Sequence, residues 1–117
     1  MSNPRRDCTY LADMVEAMER ALTYARGLSF DRFTQSSMVQ DAILRNLQVI
    51  GETTKKLSPE LRSRYRSVPW REMAGLRDRI VHEYFGIDDE IVWDVVQNDL
   101  PRLLEIITSI LDAESPE

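Results

Sequence analysis

The sequence predicts an all-α protein, an up-and-down helical bundle of four to five helices. Three observations predict it: apolar residues recur at steps of three and four through most of the chain, capping residues stand where the stripes begin, and no segment alternates like a half-buried strand. A length of 117 residues suits one domain with one core.

The first stripe, Tyr10, Leu11, Met14, Val15, Met18, Leu22 and Ala25, predicts a helix over about 8–26, with Asp7 as candidate N-cap and Gly27 as the stop. A short connection, Leu28 to Phe33, leads to a second stripe of Val39, Ile43, Leu47, Ile50 and Leu57, a helix over about 35–57. Gly51 lies inside it; a mid-helix glycine costs about 1 kcal/mol against alanine, so its presence predicts a close crossing by another element. Ser58-Pro59-Glu60 opens a short helix of about 59–65, and Pro69-Trp70 opens one of about 70–85 that Gly86 stops. Asp88 caps the last helix, whose stripe runs from Ile91 to Leu111; Pro101 inside it predicts a kink or a restart after Asp99.

Composition narrows the function classes. With 43% hydrophobic and 30% charged residues, and only 4 Gly and 5 Pro, the chain is neither collagen-like nor low-complexity. Cys8 is the single cysteine and His82 the single histidine, which removes a disulfide framework and a Cys/His zinc module; no metal and no cofactor are expected. No apolar run is long enough for a membrane span and the N-terminus leads into no secretory core, so no membrane is expected and a cytoplasmic location is.

The net charge of −5 speaks against a protein held on nucleic acid by its overall field, but the charge is unevenly spread. Between Lys55 and Arg79 eight basic residues face three acids, a local +5 that leaves −10 for the rest. Two readings stay open: a basic patch on an acidic body, or arginines paired with the acidic C-terminal helix of the same chain.

The segment richest in chemistry is Gly75-Leu76-Arg77-Asp78-Arg79-Ile80-Val81-His82-Glu83-Tyr84-Phe85-Gly86. On a continuous helix Arg77 and Tyr84 share a face, whereas Arg77 and His82 stand about 140° apart. That angle suits a symmetric dimer supplying both residues to one cleft. Each residue also has an ordinary reading: His82 beside the negative end of a helix, Tyr84 and Phe85 as core aromatics, and Arg77 with Asp78 as an exposed pair. Asn46, among Ala42, Ile43, Val49 and Ile50, is either a satisfied core amide or a group that orients the motif helix. Arg45 and Glu52, seven apart, read as a surface or interface pair.

The pattern R-x4-H-x-Y, with an acid after the arginine, resembles the signature of the HepT-like family within the HEPN group. Asp41 to Glu52, Pro69 to Leu76, and Val92-Trp93 followed by Asp99-Leu100-Pro101 also resemble it, so the likeness runs from about residue 37 to 111. The resemblance implies a single HEPN-like domain over 1–117, its core about 8–112, that forms a homodimer. It further implies the toxin half of a toxin–antitoxin pair, a metal-independent endoribonuclease with Arg77 and His82 in the dimer cleft. The implied partner is an MntA-type nucleotidyltransferase antitoxin that transfers AMP to Tyr84; Asp78 is a supporting residue.

The residue types fit that chemistry. Cleavage of RNA without a metal uses the 2′-OH as nucleophile, which needs a residue of a type that titrates near neutrality and a fixed cation for the phosphorane; His82 and Arg77 are of those types. Arg79, Arg71, Lys55 and Lys56 are candidate contacts to the RNA backbone, or simply solvated charges. Two other functions compete: a non-catalytic dimeric adaptor or substrate-binding partner of a nucleotidyltransferase, and a structural bundle whose Trp93 and acidic last helix form a partner surface.

Overall fold

Asn3 and Pro4 open the first helix, α1, Pro4–Ala25. The Asn3 carboxamide accepts the Arg6 N–H at 3.2 Å, so Asn3 and not Asp7 is the N-cap. The computed structural model describes residues 3–82 and 86–115, with residues 81 and 82 described by their backbone. Gly27 ends the helix as expected, at φ 78°.

The expected connection that follows holds a short helix, α2 (Phe30–Gln35), capped by Ser29. Phe30 and Phe33 pack on Trp93 with ring centroids 6.1 and 5.2 Å away, which gives this short segment a tertiary anchor. Next comes α3 (Ser37–Lys56), capped by Ser36, then α4 (Pro59–Arg64), capped by Ser58. Asp7 has a different task from capping its own helix. Buried to 4% exposure, its carboxylate accepts the Ser58 N–H at 2.9 Å and the Ser58 hydroxyl at 2.6 Å, tying α1 to the α3–α4 turn.

The helix expected over 70–85 is broken twice. It forms α5 (Trp70–Ala74) and α6 (Leu76–Ile80), separated at Gly75, whose N–H closes α5 on the Arg71 carbonyl at 3.0 Å. The chain then leaves the helix altogether: β1 (Val81–His82) pairs antiparallel with β2 (Gly86–Ile87), Val81 opposite Ile87 and His82 opposite Gly86. The Ile80 carbonyl accepts the Asp88 N–H at 2.8 Å, a long-range bond in place of the next helical one. Consecutive β-branched Ile80 and Val81 favour this exit, and Gly86, at φ 76°, supplies the left-handed backbone within the hairpin. This short pairing was not expected from the sequence; apart from it the described residues form no strand, and the fold is the expected all-α one.

The last expected helix is one helical path in three pieces: α7 (Asp89–Asp94), capped by Asp88, a π-helical turn (Val95–Asp99), and α8 (Leu100–Glu114). The Leu100 N–H reaches the Val95 carbonyl, five residues back. Pro101 explains the turn: it has no N–H to donate and its ring would press on the carbonyl four residues earlier, and a wider turn accommodates both. Its backbone stays helical through the junction.

α1 packs chiefly on α3 and next on α8, and Leu11, Met14, Met18, Ile43, Leu47, Ile50, Leu100 and Ile107 are fully buried where these long helices meet. Gly51 faces the end of α5, where a Cβ would lie 3.4 Å from the Met73 carbonyl oxygen and 3.5 Å from that of Ala74. This is the close crossing its position predicts. Where α8 ends, Glu114 accepts hydrogen bonds from the Tyr65 hydroxyl and from Arg64, both at 2.6 Å. The Tyr65 hydroxyl, and after it Arg64, hold the Glu114 carboxyl below the usual range, while the bond to Glu114 pushes the Tyr65 phenol up. Among the described residues no helix is long and apolar enough to cross a membrane.

Candidate functional site

Gly51 lets the end of α5 lie against α3, and Gly75 turns the chain into α6, so the arginines of the motif are carried on a short helix seated by buried Leu76 and Ile80. Arg77, Asp78 and Arg79 form its outer face and all three are exposed. The Arg77 side chain is 63% accessible, and its ion-pair partner among the described residues is Asp78, 4.0 Å away and more exposed still. A pair so open to water holds its charges weakly and leaves Arg77 available to another anion.

His82 follows in β1, held opposite Gly86 by the hairpin. The angle of about 140° expected between Arg77 and His82 therefore does not apply, because the two do not share a helix. With it goes the geometric reason for drawing the site from two subunits. The expected shared face of Arg77 and Tyr84 involves Tyr84, which lies outside the described residues, with Glu83 and Phe85.

The supporting residues are scattered. Asn46 is buried to 8% exposure, but its amide donates to the Ala42 carbonyl of its own helix at 2.9 Å, and it lines a shallow depression with Asp13, Glu16, Ala17 and Arg20 of α1. The satisfied-amide reading fits that placement, and among the described residues no hydrogen bond ties Asn46 to the motif helix. Arg45 and Glu52 are both exposed on α3 and make no ion pair with each other among the described residues. Lys55 and Lys56 are exposed at the end of α3, where Lys56 Nζ stands 5.8 Å from the centre of the Tyr10 ring, toward α1. Arg71 is exposed on α5, nearer the motif in the chain.

Arg79 has a partner that the sequence did not suggest. Its Nη1 lies 3.5 Å from Asp99 Oδ2, while Arg102 approaches Asp99 Oδ1 at 4.0 Å, so one carboxylate at the end of the π turn stands between two arginines. In the sequence Asp99 stood out as the residue before the Pro101 interruption and within a stretch of family likeness, not as a charge partner. The basic run also contains Arg62 and Arg66, which line a surface concavity with Arg71. Pairing with the acidic C-terminal part accounts for Arg64 through Glu114 and Arg79 through Asp99, but not for Arg62, Arg66, Arg71, Lys55 or Lys56 among the described residues.

Comparisons with known proteins agree in kind. The family described as Ribonuclease HepT-like matches residues 14–110. A protein of Methanocaldococcus jannaschii named "Putative RNase" is 38% identical over 109 residues, 92% of this chain and 90% of its own. One of Caldanaerobacter subterraneus with the same kind of name is 35% identical over 114 residues, 97% of this chain and 99% of its own. "Probable ribonuclease HepT" of Thermococcus cleftensis is 37% identical over 94 residues, 80% of this chain and 86% of its own. No solved structure gives a significant match. By the extent of the family match and by these relatives, the chain belongs to the HepT-like ribonuclease family.

Proposed function

We propose that this protein is a metal-independent endoribonuclease that acts as the toxin of a toxin–antitoxin pair. The observation that carries the reading is an exposed Arg77 without a firm acidic partner among the described residues, five residues before the single His82, in a chain of this family. In the proposed reaction His82 takes the proton of a ribose 2′-OH, the oxygen attacks the adjacent phosphorus, and the bond to the 5′ oxygen of the next nucleotide breaks, that oxygen taking up a proton from the imidazolium or from water. Arg77 stabilises the phosphorane. The products are a 2′,3′-cyclic phosphate and a 5′-OH, and DNA, without the nucleophile, is spared.

The protein acts as a homodimer, a reading that rests on family likeness alone, and one domain spans its length. An MntA-type nucleotidyltransferase restrains it by transferring AMP from ATP to the Tyr84 hydroxyl with release of pyrophosphate. A bulky anionic nucleotide two residues from His82 would occupy the positive field that RNA needs.

The test is cleavage of single-stranded RNA in excess EDTA. Activity should persist in wild type, vanish in His82→Ala and fall sharply in Arg77→Lys, because an ammonium keeps the charge but not the planar fork. Undiminished cleavage by His82→Ala refutes the mechanism. AMP transfer to Tyr84 without any RNA cleavage by the unmodified protein would leave the adaptor reading in its place.

A further inference from the structure

The face beside the motif helix carries a feature that the proposed chemistry does not use. Arg62 and Arg66 from α4 and its following turn, and Arg71 from α5, line an open concavity of about 800 Å³ whose floor includes Val68 and Trp70. None of the three arginines makes an ion pair among the described residues, and Arg62 Nε is buried without a hydrogen-bond partner. The single acid in the lining is Glu72, which leaves the concavity two positive charges in excess. A buried guanidinium nitrogen without an acceptor is costly, and a bound anion would satisfy it.

Position links this concavity to the motif. Pro69 and Glu72 line it and also line a smaller depression that contains Arg79, Asp99 and Arg102, so the two are contiguous. Shape indicates the kind of anion. The concavity is wide open to solvent and would enclose little of a small metabolite, whereas a polymer gains its affinity from several phosphates held at once.

We propose that the Arg62–Arg66–Arg71 concavity is a subsite for the phosphates of a single-stranded RNA, gripping the strand away from the scissile bond and leading it past Arg79 to Arg77 and His82. The inference rests on the ribonuclease reading for the identity of the polymer.

The experiment measures binding, not cleavage, with a 2′-O-methyl oligonucleotide that lacks the nucleophile, by fluorescence anisotropy across a salt series. The variants are the triple Arg62→Gln/Arg66→Gln/Arg71→Gln and the double Arg66→Gln/Arg71→Gln, whose two sites are exposed and leave the fold in place. A control triple, Arg20→Gln/Arg26→Gln/Arg32→Gln, removes equal charge from the later part of α1, the residue that caps it and α2. Each lost phosphate contact lowers the logarithmic salt slope by about 0.7 for a single strand, so the expected drop is about 2 for the triple and about 1.4 for the double. Affinity at moderate salt should fall at least about tenfold in the triple, with the control slope unchanged. An unchanged slope in both variants overturns the proposal, as does an equal drop in the control. Retained RNA binding with lost association to the nucleotidyltransferase would make the concavity a protein-docking face and also overturn it. Wild type that neither binds nor cleaves RNA defeats the ribonuclease reading itself, an outcome distinct from these.

Discussion

Replacing Asp7 by alanine removes the one buried carboxylate that joins α1 to the start of α4. Its two bonds, from the Ser58 N–H at 2.9 Å and the Ser58 hydroxyl at 2.6 Å, are both made to a charged acceptor. Bonds of that kind contribute about 1.5–3 kcal/mol each, and loss of the acceptor leaves the Ser58 donors to find water in a partly buried turn. Release of the burial cost of the carboxylate offsets part of the loss. The net expectation is a destabilisation of about 2–4 kcal/mol, a large fraction of the stability of a chain this size. Thermal and urea unfolding of wild type, Asp7→Ala, Ser58→Ala and the double variant would measure it. Asp7→Ala should lower the melting midpoint by roughly 8–16 °C, and the cycle should return a coupling of at least about 1 kcal/mol. A loss under about 1 kcal/mol, with no coupling, would show that Asp7 is a tolerated buried charge and not a tie between helices.

Gly51→Ala should change stability by less than about 1 kcal/mol, because better helix propensity offsets a Cβ 3.4 Å from the Met73 carbonyl oxygen; Gly51→Leu should cost about 1–3 kcal/mol, as chemical unfolding would show. Trp93→Ala should cost about 2–4 kcal/mol and speed amide exchange in α2, since Phe30 and Phe33 lose their shared partner. The stabilising effect of Glu114 over Glu114→Gln should be constant at mid-range pH. It should shrink as pH falls from the ordinary carboxyl value of 4.5 through the lower folded one, because a depressed folded pKa stabilises only while the unfolded group is ionised. Tyr65, raised in the fold from 10.0, contributes fully below that value and loses its contribution as pH climbs through the folded one; melting midpoints across a pH series would follow both limbs.

Long stripes were legible because burial alone sets their period: α1, α3 and the path from α7 through α8 fall close to where the apolar residues place them. Gly51 and Pro101 were legible as interruptions, since each violates helix chemistry in a way that demands a structural answer. The motif segment was not legible. Met73, Leu76 and Ile80 keep the helical spacing, and what decides against it is long-range: the pairing of Val81 with Ile87 and the bond from the Asp88 N–H to the Ile80 carbonyl. The Arg77 and His82 arrangement inherited that error, because an angle on a helical wheel is meaningful only while the helix lasts. Asp99 was invisible as the partner of Arg79 for a related reason: twenty residues separate them in sequence, and the fold closes the gap.

The π turn before Pro101 works as a spacer of one residue. Deleting a single residue between Val95 and Asp99, with Pro101 replaced by alanine, would let plain α-helical bonding resume, at the cost of rotating everything upstream by about 100° about the axis relative to α8. Trp93 would then swing away from Phe30 and Phe33, and the chain entering from β2 would arrive from a different side. Length in this stretch is therefore fixed more tightly than identity: substitutions at exposed Gln97 or Asn98 should pass almost unnoticed, while an insertion or deletion of one residue there should misplace the aromatic anchor and the arginine pair around Asp99 together.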